Sequence, residues 1–126
     1  MPGILKKFIM KKSEINFQVT LDDQSIPEQI QWTATENPNE GIEETKSIFI
    51  GVWDHYHKGT LALPLWTKDM DVLEMKRFYI EMMGSIAEAA IRATGDEAMA
   101  IKIDALCKDL SQTLKEEMKA AQQQQA

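Results

Sequence analysis

The second half of the chain carries two long helical patterns with only a glycine and an aspartate between them. From Asp71 to about Thr94, apolar residues recur at three- and four-residue steps, the spacing of one helix face. Asp71 followed by Glu74 matches a capping box, and Gly95 suits a helix end because glycine readily adopts the left-handed conformation. Asp96 can then cap a second amphipathic helix. Two helices joined so tightly must fold back, so the sequence predicts a C-terminal helical hairpin.

The first third of the chain shows strand periodicity instead. Residues 14–21 alternate apolar and polar side chains, and residues 22–25 supply the short polar side chains of a turn. Residues 26–33 alternate in the same way, and three leucines share one face of a segment at 60–66. Alternation with a polar second face is typical of antiparallel sheets that cover a core on one side. We therefore expect about three antiparallel strands.

Residues 42–53 fit two structures, because the apolar run from Ile48 to Trp53 suits a buried strand or the buried half of a helix. We predict a helix, since apolar residues recur here at three- and four-residue steps and Glu43, Glu44 and Lys46 fall on the other side. The predicted fold class is therefore α+β. A small antiparallel sheet, with elements in the order β-β-α-β-α-α, would pack against helices that include the C-terminal hairpin.

The chain has 126 residues, of which 44% are hydrophobic and 27% are charged, and this suits one packed domain. We predict that this domain spans residues 13–120. Residues 1–12 would be a flexible extension, and residues 121–126 a disordered glutamine-rich tail. A single cysteine and eight methionines favour a reducing compartment, so we expect a cytoplasmic protein.

The N-terminal segment lacks the apolar run of about 7 to 15 residues that a signal peptide requires. Four lysines among residues 4–12 could form a basic membrane-contacting segment, but two simpler interpretations are open: Met10 is the natural start, or the first residues are a frayed tail. The net charge of −6 argues against nucleic acid as a partner, because binding phosphates requires clustered basic residues.

Few residues of the sequence suggest a catalytic or metal-binding site. Asp54, His55 and His57 could contribute to a metal site, but a metal needs further ligands, and a solvated turn is the favoured interpretation. Cys107 lies beside the apolar stripe of the last helix, which indicates a half-buried structural thiol rather than a nucleophile. Phosphate loops, nucleophile elbows and Cys-x-x-Cys pairs do not occur in the sequence. We therefore expect no enzymatic activity and no cofactor.

Two groups of residues are candidates for partner binding. The first long helix is apolar over much of its circumference, and either a second copy of the chain or another protein would cover its excess apolar surface. Its candidate residues are Phe78, Tyr79, Met82 and Met83. Tryptophans beside polar residues are frequent interface anchors. The second group is therefore Trp53, Trp66, Lys68 and Asp69, although core packing explains both tryptophans nearly as well.

Several segments together resemble one known family, the gliding motility-associated GldC proteins. The matching segments are 10–15, 19–22, 26–32, 44–48, 52–54, 65–70, 74–76 and 93–97. The resemblance implies an accessory or adaptor protein of the gliding machinery in bacteria that also use type IX secretion, acting by protein contact without catalysis. The alternative is a small-ligand or metal-binding domain that uses the turn from Asp54 to His57.

Overall fold

The computed structural model describes residues 11–37 and 41–125, which form five strands followed by two helices. The chain separates into two compact units, Met1–Asp69 and Met70–Ala126. The α+β class, the antiparallel pairing and the C-terminal helical hairpin are as predicted. The elements are β1 (Ile15–Leu21), β2 (Pro27–Ala34), β3 (Glu43–Thr45), β4 (Ser47–Asp54), β5 (Gly59–Trp66), α1 (Val72–Thr94) and α2 (Glu97–Gln125).

Strands β1, β2 and β3 form an antiparallel sheet with β2 in the centre. The register places Phe17 opposite Trp32 and Val19 opposite Ile30, so the apolar residues of β1 and β2 share one face, as their alternation predicts. Ile30 is fully buried. The Asp22 carboxylate closes the turn between β1 and β2, because its Oδ1 accepts main-chain N–H groups at 2.8 and 2.9 Å.

Residues 42–53 are not helical, so the predicted element order β-β-α-β-α-α is wrong at this point. The short strand β3 pairs with β2, and β4 pairs antiparallel with β5 along its whole length. The run from Ile48 to Trp53 is apolar without interruption. Its residues at three- and four-residue steps are therefore apolar whether the segment is a helix or a strand, so this spacing does not distinguish the two. β-Branched residues favour strands, and a partner strand one turn away satisfies the backbone groups on one edge of β4.

Helix α1 begins and ends where the sequence predicts. Asp71 is its N-cap, and the carboxylate accepts the main-chain N–H groups of Leu73 at 3.0 Å and Glu74 at 3.1 Å. Gly95 has a φ of 74° and donates its N–H to the Ile91 carbonyl at 2.9 Å. This left-handed conformation suits glycine and ends the helix.

Helix α2 folds back along α1. The N–H of Met99 donates to Asp96 Oδ1 at 3.0 Å, so Asp96 caps this helix as predicted. Lys76, near the start of α1, donates to Glu117, near the end of α2, at 2.7 Å, which shows that the two helices are antiparallel. The buried residues of this unit are Ala87, Ala100 and Leu114.

The ends of the chain differ from expectation in one place. Helix α2 continues to Gln125, through residues that we predict to be a disordered tail, and the physical reason is that alanine and glutamine are good helix formers. The predicted extension at 1–12 lies outside the described residues except for its last two. Most of the predicted membrane-contacting segment 4–12 also lies outside them, as does the choice between Met1 and Met10. A single domain over 13–120 stays a prediction. Neither described helix has a segment long and apolar enough to cross a bilayer.

Candidate functional site

The β4–β5 hairpin is the region with the most distinctive surface chemistry. Its segments 47–53 and 60–66 contain no charged residue. Residues directly opposite in an antiparallel pair point to the same side, so the pairing defines two faces. The aliphatic face consists of Ile48, Ile50, Val52, Leu61, Leu63 and Leu65. The aromatic face consists of Ser47, Phe49, Gly51, Trp53, Thr60, Ala62, Pro64 and Trp66.

The aliphatic face is covered at one end and open at the other. Ile48 is only 8% exposed, and its partner Leu65 is half-buried. Further along the hairpin, Leu61 is 67% exposed, and Val52 and Leu63 are each 49% exposed. Contiguous apolar residues at this exposure mark surfaces that bind other molecules. The outer end of the aliphatic face therefore forms a candidate contact surface.

The aromatic face differs from the aliphatic face in its surface shape. Trp53 is 64% exposed and Trp66 is 45% exposed. Gly51, next to Trp53 on this face, pairs with Ala62, and apart from Gly51 and its two chain neighbours no heavy atom lies within 4 Å of the place where a side chain of Gly51 would begin. Along β4, Phe49 and Trp53 therefore flank a shallow depression over Gly51 and Ala62, and the Phe49–Pro64 pair separates this depression from Trp66.

The turn that closes this hairpin is held by Asp54. Its carboxylate accepts the N–H groups of Tyr56 at 3.2 Å and His57 at 3.3 Å and also contacts the His57 ring at Nδ1. The contact with the His57 side chain, followed by the Tyr56 N–H, lowers the pKa of Asp54. Asp54 thus has a structural role in the turn.

The predicted metal candidates converge only in part. His57 meets Asp54, whereas the His55 ring packs edge-on against Tyr56, with centroids 5.2 Å apart. A metal site needs three or more ligands around one point. Among residues 11–37 and 41–125, no three side chains of His, Cys, Asp or Glu are grouped so that they could hold an ion.

Lys68 joins the end of β5 to the turn between β1 and β2. Its Nζ donates to Asp22 Oδ2 at 3.0 Å and to Glu28 Oε1 at 3.1 Å, and its main-chain N–H donates to the Pro27 carbonyl at 3.0 Å. Lys68 is therefore already engaged within its own unit. Of the other candidates in this segment, Asp69 is exposed, and Trp66 belongs to the aromatic face.

The ion pair between Lys68 and Asp22 changes how both groups titrate. The N–H of Ile26, followed by the Lys68 ammonium, lowers the pKa of Asp22. Hydrogen bonds to Asp22 and then Glu28 raise the pKa of Lys68. Both shifts favour the charged forms, so the pair is ionised over a wide pH range.

The candidates on α1 lie in the helical unit. Phe78, Tyr79, Met82 and Met83 are all half-buried, and the rings of Phe78 and Tyr79 contact each other with centroids 5.8 Å apart. Each of the four side chains is therefore partly packed within the unit and partly exposed to solvent. Their role in partner binding stays a prediction.

Cys107 has the surroundings of a structural thiol. It is half-buried, and its Sγ donates to the main-chain carbonyl of Ile80 at 3.7 Å. The half-buried position that we predict for Cys107 is confirmed.

Two concavities lie away from the Asp54–His57 turn. A small cavity of about 40 Å³ lies on the three-stranded sheet, and an open groove of about 340 Å³ lies along α2. The cavity holds little more than one water molecule, and the groove is open. Sites for small molecules are usually enclosed and have volumes of about 300–1,000 Å³. The cavity is lined by Asn16, Gln18, Gln31, Trp32, Thr33 and Ile42, and the groove by Asp104, Cys107, Lys108, Ser111, Gln112 and Lys115.

The sequence does not predict the hairpin surface as a unit. A helix over residues 42–53 does not place Gly51 and Val52 opposite Ala62 and Leu61. A signal was present, because both hairpin strands lack charge and are largely apolar at odd and even positions alike. Such a pattern indicates a strand that needs cover on both faces.

Comparison with known proteins identifies a family. The model of the family described as "Gliding motility-associated protein GldC-like" matches residues 27–116, which is well over half of the chain. The match includes β2 to β5, all of α1 and most of α2. No curated protein and no solved structure matches the chain. The chain belongs to the gliding motility-associated GldC-like family.

Proposed function

We propose that the chain is a non-enzymatic accessory or adaptor protein of bacterial gliding motility. In this proposal it acts in the cytoplasm, by binding another protein of the motility machinery in bacteria that also use type IX secretion. Membership of the GldC-like family supports the link to gliding. The contact mechanism rests on the hairpin.

The observation that carries the proposal is the open outer end of the aliphatic face. Val52 and Leu61 lie directly opposite each other, and Leu63 is the next residue on that face. All three are about half exposed or more. Burying apolar area yields about 25 cal/mol per Å², so a partner that covers these side chains gains a favourable free energy of binding.

The chemistry of this face also indicates the kind of partner. Because segments 47–53 and 60–66 carry no charge, the face offers no counter-ion to a charged metabolite or a nucleic acid. An apolar helix face or strand of another protein would complement it. We expect the motility partner to present such an apolar surface.

Affinity capture from a gliding bacterium tests the proposal. The tagged chain is expressed in place of the native protein, and the recovered proteins are identified by mass spectrometry. Leu61→Glu places a charge on the aliphatic face, and Leu106→Glu is a matched control on α2, where Leu106 is 49% exposed. We expect the wild type and Leu106→Glu to recover a motility component, and Leu61→Glu to recover at least about tenfold less.

Two results would count against the proposal. One is a wild-type capture that contains no gliding or envelope component above background. The other is a motility component that Leu61→Glu recovers as well as the wild type does. Circular dichroism spectra of both variants establish that each retains its fold.

A further inference from the structure

We propose that two copies of this chain associate through the aromatic face of the β4–β5 hairpin, with Trp53 of each copy seated in the depression over Gly51 and Ala62 of the other. This inference concerns a second surface and a second partner. It does not depend on the role in gliding, because the aliphatic face lies on the opposite side of the hairpin.

The shape of the aromatic face is complementary to the same face of a second copy. Trp53 is a large, 64% exposed side chain, and it lies two residues from Gly51 on the same side of β4. Gly51 has open space above it, and its partner Ala62 is small and exposed. One surface thus carries both a protruding group and the space to receive it, which is what a two-fold symmetric contact requires.

The area of the face suits a weak but specific dimer. A fully exposed aromatic side chain has an area of about 150–250 Å². The exposed fractions of the aromatic side chains, together with the exposed area of the smaller residues, sum to about 500 Å² on this face of each copy. Two copies would bury about 1,000 Å², which is the lower limit of a specific interface. We therefore expect a dissociation constant in the micromolar range.

Charge also favours a second copy as the occupant. The chain has a net charge of −6, so two copies repel each other wherever acidic surfaces meet. The aromatic face has no charged residue, so two copies can approach there without placing like charges in contact. A partner that recognised the chain through opposite charge would use another part of its surface.

The sequence opposes pairing of two copies through the outer edge of β5. Thr67 donates its N–H to the Lys46 carbonyl at 2.8 Å, and hydrogen-bonded pairs alternate along an antiparallel ladder. By this alternation the nitrogen of Pro64 lies on the outer edge of β5, where it has no hydrogen to donate. A proline on the edge opposes extension of the sheet by another strand.

Sedimentation velocity of the purified full chain, from about 1 to 200 μM, tests the inference. We expect the mass to rise with concentration from 14.3 kDa toward twice that value. Trp53→Ala should raise the dissociation constant at least tenfold, because a central aromatic anchor is lost. Leu61→Glu, on the aliphatic face, and Tyr56→Ala, at the exposed hairpin tip, should leave it within about threefold of the wild-type value.

A wild type that remains a monomer throughout this range would overturn the inference. So would Leu61→Glu weakening the dimer as much as Trp53→Ala does. Ala62→Glu is the second variant for this face, because it fills and charges the depression while Trp53 is retained. If Ala62→Glu folds and still dimerises like the wild type, the aromatic face is not the interface.

Discussion

Lys68, two residues after strand β5, donates a 3.0 Å hydrogen bond from Nζ to the Asp22 carboxylate in the turn between β1 and β2. Asp22 in turn accepts the N–H groups of Gln24 and Ile26, so one carboxylate links the turn to the end of the hairpin. Glu28 adds a second acceptor for Lys68. This arrangement connects the base of the β4–β5 hairpin to the three-stranded sheet, both within the first unit.

Replacing Lys68 by methionine should lower the thermal midpoint of the first unit by a few degrees at pH 7, because two charge-assisted hydrogen bonds are lost. The chain has three tryptophans, Trp32, Trp53 and Trp66, and all lie in this unit, so their fluorescence reports its unfolding. Lys102→Met, at an exposed position on α2, is the matched control. An unchanged midpoint in Lys68→Met would show that the ion pairs do not stabilise the unit.

The same ion pair predicts how stability varies with pH. The folded pKa of Asp22 lies below its ordinary value of 3.8, so its contribution is complete above that pH and declines as the pH falls further. The folded pKa of Lys68 lies above 10.5, so its contribution is complete below that pH and is lost as the pH rises beyond it. In Lys68→Met, the difference from the wild-type midpoint should shrink at both extremes. A difference that stays constant well below pH 3.8 and well above pH 10.5 would contradict this linkage.

The Asp54–His57 turn should not bind zinc tightly. Asp54 already accepts hydrogen bonds from its own turn, and His55 packs against Tyr56 rather than turning toward His57. We expect calorimetric titration with zinc chloride to show no saturable heat at micromolar concentrations. Stoichiometric binding that disappears in His57→Ala would instead favour the metal-binding alternative.

Leu114 and Leu106 form a matched pair for testing the helical unit. Leu114 is 7% exposed and Leu106 is 49% exposed, and both lie on α2. Leu114→Ala should lower the free energy of unfolding by about 2–5 kcal/mol, since it leaves a cavity among buried side chains. Leu106→Ala should cost less than about 1 kcal/mol, the usual cost at exposed positions. Urea unfolding followed at 222 nm measures both, and equal losses would contradict the assigned burial.

The sequence predicted the helical hairpin well because its signals are local. Asp71, Gly95 and Asp96 end or begin helices through hydrogen bonds to residues within four positions, so no distant partner is needed. The alternation in β1 and β2 also sufficed, since only one face of those strands is apolar. The alternation predicts which residues share a face, although Ile15 and Leu21 on that face of β1 are 65% and 51% exposed.

Strand β4 is predicted wrongly because its apolar residues follow no single period. Ile48, Ile50 and Val52 lie on one face, while Phe49 and Trp53 lie on the other, so the segment is apolar on both sides and has no readable period. What decides its structure is pairing with β5, and pairing between separate segments is not a local property. The uncharged composition of both strands indicates apolar surface on each side, but which residues share a face follows only from the pairing across the ladder.

The central claim is that this chain serves gliding by contact rather than by chemistry, and gliding of single cells tests it most directly. A gliding bacterium that lacks the native protein and has a measurable motility defect is complemented with Leu61→Glu, with Cys107→Ser, or with His55→Ala/His57→Ala. We predict that the cysteine and histidine variants restore the speed of the wild type, whereas Leu61→Glu, at equal protein level, does not. Full rescue by Leu61→Glu together with loss of gliding in Cys107→Ser or the histidine variant would contradict the account.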